Sequence, residues 1–392
     1  MGCDTGTERP FWLICTTHLL LEVYLLVQVA LIPVYVREFQ LSLLEASLVA
    51  TVPNLVQLLM NFPIGFLVDR FSAKHLLCAS MVMEGISAVF LSQTSSFWAL
   101  VLWVSVMRIS SPLYHITGLS QISRIVKEDK ASRSIGIHNA MGSSGVAVGA
   151  VSLTLFMTTF GWRSTYLFWA IPVLSWGLFL LRTPHLETKT YERRQQERKV
   201  GLARFSYVLT FSFVIFLVGI GLREVGTSGV STFMTTYLVK VRGLSEALSS
   251  LIFGLGPITG IVGALGGGLL GEKIGAKRAL HIATLGCAIS LFALSLTSEL
   301  YLLSLLYLAY SFFNHGVWTP MNTLVSQMAP RSERGLSFSA YMFTEGLMQS
   351  VGPAVAATVM EGSGISFVFP FGIAFVIASL VTLQFFSPRR AT

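Results

Sequence analysis

The chain has 392 residues, 53% of them hydrophobic and only 12% charged, against roughly 25% charged in ordinary soluble domains. A water-soluble core of this size cannot hide so much apolar surface with so few charges left to face water, which excludes a soluble enzyme, a disordered chain and a nucleic-acid-binding domain. The formal net charge of +8 has to be read from its placement along the chain.

The apolar residues fall in runs near the roughly 20 residues that cross a bilayer as a helix. Twelve spans are predicted, at about 11–36, 44–68, 75–94, 97–123, 134–160, 164–182, 205–239, 245–271, 279–297, 299–328, 335–361 and 363–387. Nine of the 13 prolines lie inside them, which packed membrane helices tolerate because neighbours satisfy the freed carbonyls. A charge inside a span is expensive and is a functional candidate by default. Span one carries His18 and Glu22 at i, i+4, on one face; an imidazole and a carboxylate so placed can share and pass on a proton. Glu84 on span three is read as turned towards protein or structural. Span four carries Arg108, Pro112 and His115 on one face, with Pro112 expected to kink the helix beside Arg108. On span five His138 is read as a hydrogen-bonded packing residue, and Gly145 and Gly149 as helix-packing positions.

Span seven carries Arg223 and Glu224, and span ten carries Asn314, His315 and Trp318, with Asn322 continuing the stripe. Glu345 on span eleven, with Gln349 at i+4, is a candidate second protonation site. His75 and His281 lie near span ends and are read as interfacial. The guanidinium fork of Arg108 and Arg223 suits a carboxylate, phosphate or phosphonate. The competing reading is that they pair structurally with Glu22 and Glu224. Cys3, Cys15, Cys78 and Cys287 show no pair spacing and are read as small apolar helix residues. No Walker loop appears, so ATP is not expected to drive the protein. No metal-ligand spacing such as a His-x-x-x-His pair appears and no metal is assigned, although dispersed histidines leave open a site assembled only in three dimensions.

With both termini inside, 21 of the 27 basic residues fall on the inner face, four (Arg37, Arg163, Lys240 and Arg242) in outer loops, and Arg108 and Arg223 inside spans. This is a strong positive-inside pattern, so the +8 reports topology and anionic inner-leaflet lipid rather than nucleic acid. The longest hydrophilic stretch, 183–204, sits near the chain midpoint and is read as a cytoplasmic linker on the membrane surface. It divides the chain into 1–182 and 205–392.

The two halves repeat. Residues 65–75 read GFLVDRFSAKH and residues 268–278 read GLLGEKIGAKR, each directly after the second span of its half. Gly65, Asp69, Arg70 and Lys74 thus correspond to Gly268, Glu272, Lys273 and Lys277. A repeat of half the chain implies two six-helix bundles related by an axis along the membrane normal. The Gly-x-Leu-x-Asp-Arg-x-x-x-Lys loop resembles the signature loop of the major facilitator superfamily, with Ser72 where the pattern usually has Gly and Gly275 in the second copy. That resemblance implies a cytoplasmic latch formed by these eight residues, with Gly65 allowing close helix approach. It also implies that spans one, four, seven and ten line a central cavity.

Thr17, His18 and Glu22, Tyr114 and His115, Arg223 with Thr232 to Leu238, and Gln327 to Gly335 are similar to the fosmidomycin-resistance branch of drug antiporters. Gly136, Gly145 and Gly149 resemble the start of the antiporter signature, which lacks its following Pro here because Ala150 stands there.

The expectation is therefore an all-α polytopic membrane protein with twelve transmembrane helices in two pseudo-symmetric six-helix bundles. It is expected to be a secondary transporter, not an enzyme, in the cytoplasmic membrane with both termini cytoplasmic. It would export a small anionic or zwitterionic compound in exchange for protons by alternating access. Glu22, His18 and Glu345 are the proton-coupling candidates. Arg108, His115, Arg223, Glu224, Asn314, His315 and Trp318 are the substrate-binding candidates. No cofactor is expected beyond the proton gradient, and the partners are substrate, protons and lipid around a monomer. The alternatives are an organic-anion importer or facilitator of the same fold and, remotely, a sensor or scaffold without flux.

Overall fold

The computed structural model describes residues 5–126, 131–183, 209–328 and 334–388, so all but the first residue of the predicted linker lies outside the described residues. Among the described residues the regular structure is entirely helical. The first eight helices are α1 (Thr5–Glu22), α2 (Val27–Ala30), α3 (Ile32–Glu38), α4 (Leu43–Arg70), α5 (Ala73–Ser92), α6 (Phe97–Ile125), α7 (Ala131–Phe160) and α8 (Arg163–Leu181). Then follow α9 (Phe211–Lys240), α10 (Glu246–Ile274), α11 (Ala276–Leu296), α12 (Leu300–Gly316), α13 (Trp318–Met328), α14 (Arg334–Ser363) and α15 (Val368–Thr382).

Among the described residues, eleven segments are long and apolar enough to cross a membrane. The expected span outside that set is span eleven, 335–361, which is α14, a single 30-residue helix and thus about 45 Å long at 1.5 Å per residue. It carries Glu345, Gln349 and Glu361 and is more polar than the others. Pro53, Pro63, Pro112, Pro172, Pro257 and Pro353 all sit inside continuous helices. Large apolar side chains such as Leu59, Phe62, Trp98, Leu155, Phe160 and Phe211 stand exposed, as suits helices whose outer faces meet lipid.

Two predicted spans are interrupted. Span one is three helices: α1 stops at Glu22, a turn closes with Leu25 N–H bonded to the Glu22 carbonyl at 3.1 Å, and the chain resumes as α2 and α3. Span ten is two, with α12 ending at Gly316 and α13 starting at Trp318. Both breaks fall beside polar residues that the sequence had singled out.

Contacts divide the chain into two compact units. One comprises Met1–Gln40, Leu48–Arg193 and Ser245–Gly254; the other comprises Leu41–Ser47, Arg194–Leu244 and Leu255–Thr392. Within the first unit α5 packs on α6 and α8, and α1 packs on α7. Within the second, α11 packs on α12 and α15, and α9 packs on α14. These are the corresponding helices of the sequence repeat.

Glycine makes the closest approaches. A Cβ at Gly145 would stand 2.1 Å from the Leu19 carbonyl oxygen, and one at Gly149 would stand 1.8 Å from that of Val23. The α7 backbone therefore lies directly on α1. In the second unit Gly263 and Gly267 of α10 meet the carbonyl oxygens of Phe312 and Gly316 at 2.0 and 1.9 Å on the same construction. Among the described residues nothing lies within 4 Å of a Cβ built at Gly65. The departure at Ser72 also has a backbone explanation. Ser72 has φ −67°, open to any residue, whereas Gly275 has φ +91°, which favours glycine.

Candidate functional site

Each unit holds a buried polar cluster. In the first, His18 and Glu22 are 6% and 8% exposed and share a face of α1, as predicted. His18 Nδ1 lies 2.8 Å from the His138 carbonyl oxygen. A carbonyl only accepts, so Nδ1 carries the proton and a neutral His18 presents a lone pair at Nε2. That Nε2 lies 3.5 Å from Glu22 Oε1. From α6, His115 Nε2 reaches the same oxygen at 3.1 Å. Glu22 thus sits between two imidazoles.

The imidazole wall continues. The His18 ring stacks on His138 at 4.1 Å between centroids and on Tyr114 at 5.2 Å. Tyr114 Oη donates to the Ile14 carbonyl at 2.8 Å and lies 2.9 Å from His138 Nε2. With the hydroxyl hydrogen committed, His138 is the donor of that second bond. His138 is thus a hydrogen-bonded packing residue that also orients His18. Gly142 provides the space: a Cβ there would fall 2.4 Å from the His18 ring.

Arg108 stands on the other side of Glu22. Its Nη2 donates to the Leu25 carbonyl at 3.4 Å, an oxygen at the break in span one. Among the described residues no carboxylate lies within the 4.0 Å of an ion pair with it. The Arg108–Glu22 pair of the competing reading is therefore not formed; the two histidines meet Glu22 instead. Arg108, Glu22, Gln28, Ser111 and Glu84 line a cavity of about 20 Å³, the size of a water molecule rather than a substrate. Pro112 leaves α6 continuous; the amide it lacks is the one that would have bonded the Arg108 carbonyl.

Glu84 is the residue sequence reasoning undervalued. It is 3% exposed, accepts a hydrogen bond from Ser110 Oγ, and shares the cavity with Glu22 and Arg108. The signal was available, since Glu84 is an acid inside an apolar helix. What was missing was the azimuth of α5 relative to α6.

The second cluster is built on α9, α12 and α14. Arg223 is 1% exposed. It donates to Glu224, to Asn314 Oδ1 and, at 2.6 Å, to the Asn314 carbonyl oxygen. Its guanidinium is thus engaged inside the unit by Glu224 and Asn314. His315 Nδ1 donates to the Ser311 carbonyl at 2.8 Å, which leaves Nε2 as the acceptor of a neutral ring. Trp318, 46% exposed, meets the His315 ring edge-to-face at 4.6 Å. Glu345 lies on α14 beside Tyr341, and Gln349 and Asn322 are exposed.

The Asp69 side chain lies outside the described residues. Arg70, Glu272 and Lys273 are exposed and Lys74 is partly buried. A Cβ at Gly268 would meet Thr319 at 3.1 Å. Lys277 donates to the carbonyls of Gln384 and Phe386 at 3.0 and 2.5 Å, just past α15, where a cation satisfies carbonyls left open by the helix end. His281 also turns inward, its Nδ1 bonded to the Lys277 carbonyl at 2.7 Å.

The family model described as Major Facilitator Superfamily matches residues 16–353 and, in a second overlapping match, 260–391. The "Nitrite extrusion protein" of Bacillus subtilis (strain 168) is 23% identical over 64% of the chain and 62% of its own length, so that match spans less than two thirds of the relative. The "Probable nitrate transporter NarT" of Staphylococcus carnosus (strain TM300) is 23% identical over 92% of the chain and 91% of its own length. The "Fosmidomycin resistance protein" of Escherichia coli (strain K12) is 21% identical over 70% and 68%. In fold, the chain is similar to a bacterial homolog of the human lysosomal transporter Spinster, with TM-score 0.79, 16% identity, and 98% and 96% of the two chains covered.

Proposed function

The chain belongs to the major facilitator superfamily, whose members carry small solutes across membranes, and we propose that it exports a small anionic or zwitterionic compound in exchange for protons by alternating access. The observation that carries the reading is Arg108. A guanidinium inside a membrane helix, without an ion pair among the described residues and with one long bond to a carbonyl, has donor capacity left for an incoming anion. The relatives' names point the same way: nitrite, nitrate and fosmidomycin are all solutes with anionic oxygens.

Glu22 is the proposed proton carrier. It is buried between His18 and His115, so its charge depends on what the two rings hold, and a proton lost there passes to an imidazole rather than to bulk water. Substrate at Arg108 and a proton at Glu22 would then bias the same unit, the differential binding that exchange requires. Glu84 joins this set as a further acid on the same cavity, and Glu345 stays the candidate second protonation site. His115, 34% exposed at its side chain, and His315 with Trp318 are proposed to shape the substrate path. Arg223, Glu224 and Asn314 are proposed to hold α9 against α12 rather than to touch the solute.

The chain is a multi-pass membrane protein. We place it in the cytoplasmic membrane as a monomer with both termini inside, on the positive-inside pattern, and assign it no reaction and no cofactor. The test is ligand-dependent thermal stabilisation of the purified protein with nitrate, nitrite, fosmidomycin and a cationic drug. Stabilisation by one of the anions, lost in Arg108→Gln, supports the reading. Stabilisation by the cation alone, or by an anion equally in Arg108→Gln, overturns it.

A further inference from the structure

We propose that His18, Glu22 and His115 form a binding site for a divalent transition-metal ion of the zinc class. The three ligand atoms, one from each residue, all lie within 4.8 Å of one another. Two of the separations are 3.1 Å, between His115 Nε2 and Glu22 Oε1, and 3.5 Å, between His18 Nε2 and the same oxygen. A tetrahedral ion with bonds of about 2.0–2.1 Å sets its neighbouring ligand atoms about 3.3–3.4 Å apart. Two edges of such a site are therefore already near length, and the third is no longer than 4.8 Å.

The surroundings are those of a metal-binding histidine. His18 gives its Nδ1 proton to the His138 carbonyl, which fixes the tautomer and aims the Nε2 lone pair at the centre of the triad, as an outer-shell carbonyl does for a metal ligand. The stacked rings of His138 and Tyr114 hold its plane. Gly142 on α7 leaves the space in which that ring lies. Two imidazoles and one carboxylate suit zinc or a neighbouring first-row ion better than calcium or magnesium, which take oxygen ligands.

Three protein ligands leave a fourth position open. His18 and Glu22 are buried, whereas the His115 side chain is 34% exposed, so the open position lies on the His115 side. Such a site exchanges its ion and accepts an outside ligand, unlike a closed four-residue structural site. This inference does not rest on the transport reading, because binding is read on purified protein without a gradient.

The experiment is titration of the full chain in detergent with Co2+, read by its visible ligand-field absorption, followed by back-titration with Zn2+. We expect one Co2+ per chain, bands of a low-coordinate nitrogen and oxygen site, and loss of those bands on adding Zn2+. The bands should disappear in His115→Gln and His18→Gln and persist in His281→Gln, with His115→Gln melting like the parent protein. His115 is the most exposed of the three ligands, its side chain being 34% exposed, so it is the variant that separates lost binding from lost folding. Absence of the bands in the parent protein would overturn the site, as would bands that survive both His115→Gln and His18→Gln.

Discussion

Replacing Gly149 by alanine tests the packing that places Glu22. The added Cβ would stand 1.8 Å from the Val23 carbonyl oxygen, where real Cβ atoms come no closer than 3.0 Å. The obstacle is backbone, so no rotamer change relieves it, and α7 must retreat from α1 by about 1 Å or α1 must deform at its break. Overpacking of this kind costs about 1–3 kcal/mol. Gly65→Ala is the control: nothing lies within 4 Å of its Cβ, so the substitution should be neutral or stabilise through helix propensity by up to about 1 kcal/mol. Thermal and denaturant unfolding in one detergent, followed by circular dichroism, compares the three proteins. The expected order of stability is Gly65→Ala at or above the parent and Gly149→Ala clearly below it. A Gly149→Ala protein as stable as the parent would falsify the backbone contact between α1 and α7.

Further outcomes follow from the same geometry. Gly267→Ala should destabilise by a similar amount, since its Cβ would lie 1.9 Å from the Gly316 carbonyl oxygen; unfolding of the single variant checks it. Arg108→Gln should weaken anion binding by roughly 10- to 100-fold, the worth of a charge-assisted bond of about 1.5–3 kcal/mol, and Arg108→Lys should restore little because the fork is lost; an affinity titration separates the two. At the C-terminal end of α3, burial raises the Glu38 carboxyl, but hydrogen bonds from Arg163 and Trp162 lower it further, so that it sits below its ordinary value. Its folded value being the lower one, Glu38 contributes stability above the ordinary carboxylate range that is lost as pH falls through the folded value. Parent protein and Glu38→Gln should therefore differ in melting temperature at neutral pH and converge in acid.

Helix positions were legible in the sequence because length and hydropathy are one-dimensional signals. So was the pairing of His18 with Glu22, since i, i+4 neighbours share a face whatever the tertiary structure. The partners of Glu22 were not. Arg108 looked like its counter-ion by charge, yet the chain breaks at Glu22, Arg108 bonds the Leu25 carbonyl, and His115, two turns further along α6, takes the carboxylate. A span predicted as one continuous helix carries no information about such a break. Arg223 shows the complementary limit. Adjacent residues on a helix do not normally face each other, but the arginine side chain is long enough to reach Glu224 and Asn314 together. The glycines of α7 were recognised as packing residues, whereas Gly263 and Gly267 of α10 emerged only from the contacts they make.

The central claim is that anion transport is coupled to protons through Glu22. Its most direct test is flux of nitrate and of fosmidomycin in proteoliposomes with an imposed pH gradient, for the parent protein and Glu22→Gln. The account predicts that the gradient drives one of these anions in the parent and that Glu22→Gln loses the dependence on the gradient. Flux that ignores the gradient in the parent and persists in Glu22→Gln contradicts it.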